Sequence, residues 1–134
     1  MLPVDDEWNV YLTRQFRYAI GREDVEAVAG SIDGEGALDA ARRETKEELG
    51  IQAAEWLDAG TVHSLTSITQ CTSRQFIARG LSFGEPENEG TEDIESVKLT
   101  LHNTVEMVRC GEITDADTCL LILKAAFVFN EKGQ

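Results

Sequence analysis

Residues Glu35 to Ile51 read EGALDAARRETKEELGI. Ala, Arg, Glu, Lys and Leu dominate this run, and all are strong helix formers. The pattern predicts a helix over Ala37 to Leu49, ended by Gly50, where a left-handed residue is wanted. On such a helix Glu44, Glu47 and Glu48 fall on one side, three and four positions apart. Leu38, Ala41, Thr45 and Leu49 form the adjacent, less polar stripe, able to face a sheet. Carboxylates so crowded repel one another, and a hard cation with oxygen preference relieves that cost. The arc therefore suits a Mg²⁺ platform. A solvated helix face, with Arg42, Arg43 and Lys46 nearby, is the other reading of the same residues.

Working outward, strands precede and follow this helix. Val10 to Thr13 reads as the centre of a strand, and Gln15 to Ile20 alternates polar and apolar residues up to Gly21. Val25 to Ala29 is a short apolar segment leading into a loop, Gly30-Ser31-Ile32-Asp33-Gly34. Beyond the helix, strands are expected at Gly60 to Ser67, Arg74 to Arg79 and Ser96 to Leu101. Ser82 to Glu95 is an acidic loop with six carboxylates and no base. Thr104 to Cys110 reads as a short helix. Asp115 to Phe129 reads as a long one, capped by Thr114 or Asp115. Strands interleaved with helices predict an α/β sandwich with a mixed sheet.

The 134 residues suit one domain, spanning 1–134. With 42% hydrophobic and 28% charged residues there is enough apolar material for a core. The formal charge of -13 disfavours binding to a nucleic-acid backbone, but carboxylates that hold divalent cations invert the field locally. No apolar run is long enough to span a bilayer. The first residues lack a basic segment followed by an apolar stretch, so no signal peptide and a cytoplasmic location are expected. Cys71, Cys110 and Cys119 are odd in number and form no CxxC pair, which points to reduced thiols.

The acidic helix resembles the signature of the Nudix hydrolases, Gx5Ex7REUxEExGU, where U is bulky and aliphatic. Glu35, Arg43, Glu44, Glu47, Glu48 and Gly50 fall in register, followed by Ile51. A chance match from this composition is on the order of one in 10⁴, which outweighs the bland reading of the helix. Two positions depart from the signature. Ala29 stands at the leading glycine, leaving Gly30 nearest and the loop one residue short, and Thr45 replaces an aliphatic residue.

Further segments are similar to the ADP-ribose and ADP-sugar pyrophosphatase branch. These are Leu12 to Tyr18, Val28 to Asp33, Phe76 to Leu81 and Gly111 to Ala116. The N-terminal strand region usual in that branch would lie before this chain's first residue. The proline that the branch tends to place some sixteen residues after the signature is missing.

The resemblance implies a Mg²⁺-dependent hydrolase, with Mn²⁺ as a substitute. It would cleave the pyrophosphate of a nucleoside diphosphate linked to another group. Another nucleotide pyrophosphate, or binding without turnover, are the alternatives. Glu44, Glu47 and Glu48 would hold metal, Glu35 would bind it or support that set, and the Gly30 turn would bring a backbone oxygen near. Arg43 would orient the glutamates. A general base is expected on the loop Glu85 to Glu95, with Glu92 first and Glu89 and Glu95 next. Arg17 is a contact for phosphate or base, or else a sheet-edge charge. Glu26 meets the nucleoside, or is an exposed strand charge. His63 reads as structural or solvent-facing, and Phe127 and Phe129 as core or dimer contacts. A small nucleotide substrate, no nucleic acid, no membrane and a homodimer complete the expectations.

Overall fold

The computed structural model describes residues 1–87 and 93–131, with the side chain of residue 131 left aside. The elements run β1 Leu2–Pro3, β2 Asn9–Arg17, β3 Arg22–Glu26, α1 Ala37–Leu49, β4 Ile51–His63, β5 Thr72–Phe83, β6 Glu95–Thr100, α2 Leu101–Cys110 and α3 Ala116–Glu131. Among the described residues the strands form two three-stranded sheets, ordered β1-β5-β4 and β3-β2-β6. The first is mixed, because β1 runs parallel to β5 while β4 is antiparallel to it. The second is antiparallel throughout. A bridge between Val4 and Val10 joins the chain after β1 to β2.

Strand β2 carries the sandwich because both of its faces are buried. Val10 and Leu12 enter one apolar cluster with Leu121, Ile122, Ala125 and Phe129 of α3. Tyr11, pointing the other way, joins a second cluster with Val28, Leu49 and Ile51 at the end of α1. The period-two alternation of a strand thus places α1 on one side and α3 on the other. The mixed α/β architecture expected from the sequence is the one observed. No helix among the described residues is long and apolar enough to cross a membrane.

Helix α1 has the expected limits. Gly50 ends it at φ 66°, its N–H donating to the Lys46 carbonyl at 2.9 Å. Any side chain at Gly50 would also overlap the Gly84 carbonyl oxygen. The chain leaving β5 is bound here, with Gly84 N–H donating to the Gly50 carbonyl at 2.7 Å and Glu87 N–H to that of Glu47 at 2.9 Å. The start of the acidic loop therefore lies against the last turn of α1.

Several local expectations are corrected. Tyr18 to Ile20 is a turn, not strand, with Gly21 N–H donating to the Arg17 carbonyl, and Tyr18 is 91% exposed. The strand expected at Gly60 to Ser67 begins at Ile51 and stops at His63, where the chain turns. Leu101 opens α2 instead of ending β6. Thr100 caps that helix, its hydroxyl accepting from Asn103 N–H at 3.1 Å. Of the two cap candidates for α3, Asp115 serves, accepting from Thr118 N–H at 2.9 Å.

Candidate active site

The loop between β3 and α1 sets the geometry of the site. Asp33 and Gly34 both have positive φ, 42° and 82°, and Glu35 N–H donates to the Ile32 carbonyl at 2.9 Å. Two consecutive left-handed residues make a tight primed turn, which an Asp-Gly pair accommodates. The turn delivers Glu35 beside the helix it precedes. Gly30 passes so close to Glu44 that a Cβ there would overlap the Glu44 carboxylate. Gly30 therefore acts here as a space for a carboxylate, which fits its sequence role beside the glutamates.

Arg43 is the hub of the cluster. Its Nε donates to Glu35 Oε1 at 2.8 Å, and its Nη1 donates to Glu44 Oε1 at 2.7 Å and to Glu47 Oε2 at 3.2 Å. Nη2 also donates to the Ser31 carbonyl at 3.1 Å, tying the loop to the helix. Hydrogen bonds that the guanidinium donates to Glu35 and then to Glu44 raise its pKa above the ordinary value. Arg43 thus brings Glu35, Glu44 and Glu47 together, and Glu48 follows on the same half-buried flank of α1. Behind them Ala40, Ala41, Thr45 and Leu49 are buried.

Among the described residues no three His, Cys, Asp or Glu side chains converge as a closed metal cage. The guanidinium stands among the carboxylates instead. The donor set still suits a hard dication, since it is made of carboxylate oxygens with room for water. The Gly30 cradle adds to the fit, because it keeps a main-chain segment against Glu44.

Of these groups, Glu44 and Gly30 line a cleft of about 530 Å³. Ala37, Ala40, Ala41 and Glu44 form one wall, and Gly30 and Ser31 lie at its rim. Arg17 and Glu26 line it from β2 and β3. Glu26 is only 9% exposed, which overturns its reading as an exposed strand charge. Its partner is Arg17, which grips both carboxylate oxygens, the Nε–Oε1 bond being 2.9 Å. The Glu26 hydrogen bond raises the Arg17 pKa, with smaller contributions from Asp115, just before α3, and Glu48 of α1.

The opposite wall was not foreseen. Thr72, Ser73, Arg74 and Gln75 at the start of β5 face Asp115 and Asp117 at the start of α3. Asp117 accepts from Ser64 Oγ at 2.9 Å and Ser73 Oγ at 2.6 Å, fastening the β4–β5 turn to α3. Gln75 is 4% exposed and donates to the Asp117 carbonyl at 2.8 Å. The polar run Thr72-Ser73-Arg74-Gln75 ahead of an apolar strand was the available signal. Asp115 read only as a cap candidate, and Asp117 only as a residue inside the long helix.

His63, Glu95, Phe127 and Phe129 are not among the residues that line the cleft. His63 is exposed, and its Nδ1 sits 3.2 Å from Thr72 Oγ1. Glu95 stands at the start of β6, paired with Arg14 at 3.3 Å. Glu89 and Glu92 lie outside the described residues. Phe129 is core at 5% exposure, whereas Phe127 is 65% exposed.

The fold and this carboxylate-lined cleft define an α/β domain built to handle a charged ligand on a glutamate-bearing helix. The Nudix domain family model matches residues 1–117. Relatives include the ADP-ribose pyrophosphatase of Bacillus subtilis (strain 168), 30% identical over 125 residues, which cover 91% of this chain and 68% of the relative. That of Mycobacterium tuberculosis is 32% identical over 90 residues, 65% of this chain and 44% of the relative. A GDP-mannose pyrophosphatase from Salmonella arizonae is 33% identical over 126 residues, 84% of this chain and 64% of the relative. A crystal structure of an ADP compounds hydrolase superposes with a TM-score of 0.85 over 98% of this chain and 72% of its own. At 20% identity, that match speaks for the fold alone. The chain belongs to the Nudix family of pyrophosphohydrolases.

Proposed function

We propose that this domain hydrolyses the pyrophosphate bond of a nucleoside diphosphate joined to a sugar, ADP-ribose or an ADP-sugar first. The products would be a nucleoside monophosphate and a phosphorylated sugar. The observation that carries the reading is the gathering of Glu35, Glu44 and Glu47 on Arg43, with Glu44 and Gly30 lining the cleft. The named activities of the relatives support the substrate class.

Glu44, Glu47 and Glu48, with Glu35 and the Gly30 backbone, would hold Mg²⁺, with Mn²⁺ as a substitute. Bound there, the cation neutralises the pyrophosphate and makes water a better nucleophile. Arg43 holds the carboxylates in one cluster, since a guanidinium fork matches carboxylate geometry. Arg17, clamped by Glu26, offers a cation at the cleft for a phosphate group. A carboxylate of the loop Glu85 to Glu95 would take the proton from the attacking water. Glu92, just before Asp93-Ile94, is the first choice and Glu89 next; Glu95 is paired with Arg14.

Incubation with ADP-ribose, ADP-glucose, GDP-mannose and nucleoside triphosphates, each with Mg²⁺ or Mn²⁺ and products read by mass, tests the reading. A nucleoside monophosphate and a sugar phosphate are expected from a sugar nucleotide. Turnover of triphosphates alone, or of nothing, would overturn it. Among the described residues the cleft lining holds no aromatic ring, so base stacking does not favour adenine over guanine. GDP-mannose is the second substrate to weigh on that ground. Glu92→Gln should lower kcat roughly 10²- to 10⁴-fold with KM nearly unchanged.

A further inference from the structure

The two ends of the cleft differ in what they offer a ligand. At one end stands Glu44, a member of the carboxylate cluster on α1. At the other, the start of β5 meets the start of α3, and Ser73, Asp115 and Asp117 line the wall. A cleft of about 530 Å³ lies within the range of small-molecule sites and has room for more than a pyrophosphate.

The hydroxyl protons of this second wall are turned toward its acids. Ser73 Oγ donates to Asp117 Oδ2 at 2.6 Å, and Thr118 Oγ1 donates to Asp115 Oδ2 at 2.6 Å. A hydroxyl has one proton to give, so both groups meet a ligand as acceptors only. Gln75 is engaged on both sides, its amide donating to the Asp117 carbonyl at 2.8 Å and its oxygen accepting from Lys124 Nζ at 3.0 Å. Arg74 is the only cationic side chain of this wall among the described residues, and its Nε donates to Asp58 of β4 at 3.1 Å. No ion pair among the described residues engages Asp115 or Asp117, and Asp115 Oδ1 takes no hydrogen bond there. The wall thus presents lone pairs and uncompensated negative charge.

The first turn of a helix ordinarily attracts phosphate, through its free N–H groups and its dipole. In α3 an acid already holds that place. Asp115 Oδ2 takes the Thr118 N–H at 2.9 Å, and Asp117 follows within the first turn.

We propose that Asp115 and Asp117 select a sugar as the group beyond the second phosphate, accepting hydrogen bonds from its hydroxyls and repelling a third phosphate from the same place. The proposal rests on the reading of this cleft as the site of a nucleoside diphosphate joined to another group. A sugar brings hydroxyl donors and no charge. A terminal phosphate brings acceptor oxygens and negative charge, so the same two carboxylates favour one and disfavour the other. Such discrimination needs an unfavourable element against the competitor as well as a good contact with the substrate.

The test uses the whole chain with Mg²⁺, native and with Asp115→Asn or Asp117→Asn. Asparagine caps a helix about as well as aspartate, and at 117 it keeps an acceptor oxygen, so melting temperatures close to the native value are expected. In each variant kcat/KM for ADP-ribose should fall about 10- to 100-fold, as the charged acceptor of a hydroxyl is lost. ATP should bind about tenfold more tightly, read as its Ki against ADP-ribose hydrolysis, because a repelling charge is gone. A structural role would weaken both ligands alike; that outcome in both variants, or no change in either ligand, overturns the proposal. ADP-ribose lacking the 2′-hydroxyl of its nucleoside should lose as much as ADP-ribose does in each variant. If the variants instead turn over the two equally while the native chain prefers ADP-ribose, the wall holds the nucleoside and the proposal fails. These failures leave the proposed function standing. A native chain that hydrolyses no sugar nucleotide overturns both.

Discussion

Helices α1 and α3 bury stripes of similar kind and turn opposite faces to the solvent. α1 buries Ala40, Ala41, Thr45 and Leu49 and carries its charges on the flank. α3 buries Thr118, Leu121, Ile122, Ala125 and Phe129 and leaves leucine and phenylalanine outside. The buried stripe of each is what the sheets demand. The outer faces are free of that demand, so they report what each helix is for beyond folding. On α1 the outer charges are gathered by Arg43 beside a cleft; on α3 the few charges are turned inward.

The largest expected effects come from separating chemistry from fold along this line. Glu48→Gln keeps size and removes charge. It should lower kcat by roughly 10²- to 10³-fold, and EDTA should abolish turnover of the native chain, while the melting temperature stays close to the native value. Full hydrolysis in EDTA would remove the metal from the account. Leu121→Ala on α3, at 2% exposure, should do the reverse. A loss of about 2–5 kcal/mol in urea unfolding is expected, with Mg²⁺ affinity unchanged in the folded fraction. An equal loss of metal affinity would show that the two helices are not separable.

Smaller effects sharpen the comparison within α1. Gly30→Ala forces the Glu44 carboxylate aside and should weaken Mn²⁺ binding by about 10- to 100-fold, as displaced supports of metal sites do. Calorimetry reads this directly, and unchanged affinity would place Glu44 outside the metal set. Thr45 is fully buried and its hydroxyl has no partner. Thr45→Val, of the same shape, should therefore raise stability by about 1 kcal/mol, leaving kcat as it was. A fall in melting temperature would mean that the hydroxyl is satisfied in solution.

The legibility of the sequence follows the same division. Ala37 to Leu49 was readable to the residue, because propensity, the C-terminal glycine and the glutamate register all agreed there. Strand β4 was read only at its end, from Gly60 to His63. Its only strand partner among the described residues is β5, and Glu55 and Asp58 interrupt the apolar pattern of a strand with one solvated side. Tyr18 to Ile20 alternates like a strand, yet the chain must reverse there to pair Arg17 with Arg22. Glu26 looked like a surface charge because its partner lies across that hairpin, nine residues back. The far wall of the cleft stayed hidden for a related reason. Ser64, Ser73 and Asp117 come together only after two sheets and a helix have packed.

Arg43 has a consequence for the order of events in the life of the molecule. A cluster of bare glutamates would strain the apoprotein, and its folding would then depend on the supply of ions. With a resident guanidinium as counter-ion, the chain carries its own neutralisation from synthesis onward. Acquiring the proposed metal becomes an exchange of partners between folded states, not a condition of folding. Such a protein gains stability from the ion only by mass action, as the logarithm of its concentration over Kd. Chelation would then silence it reversibly, and a return of the ion would restore it without refolding.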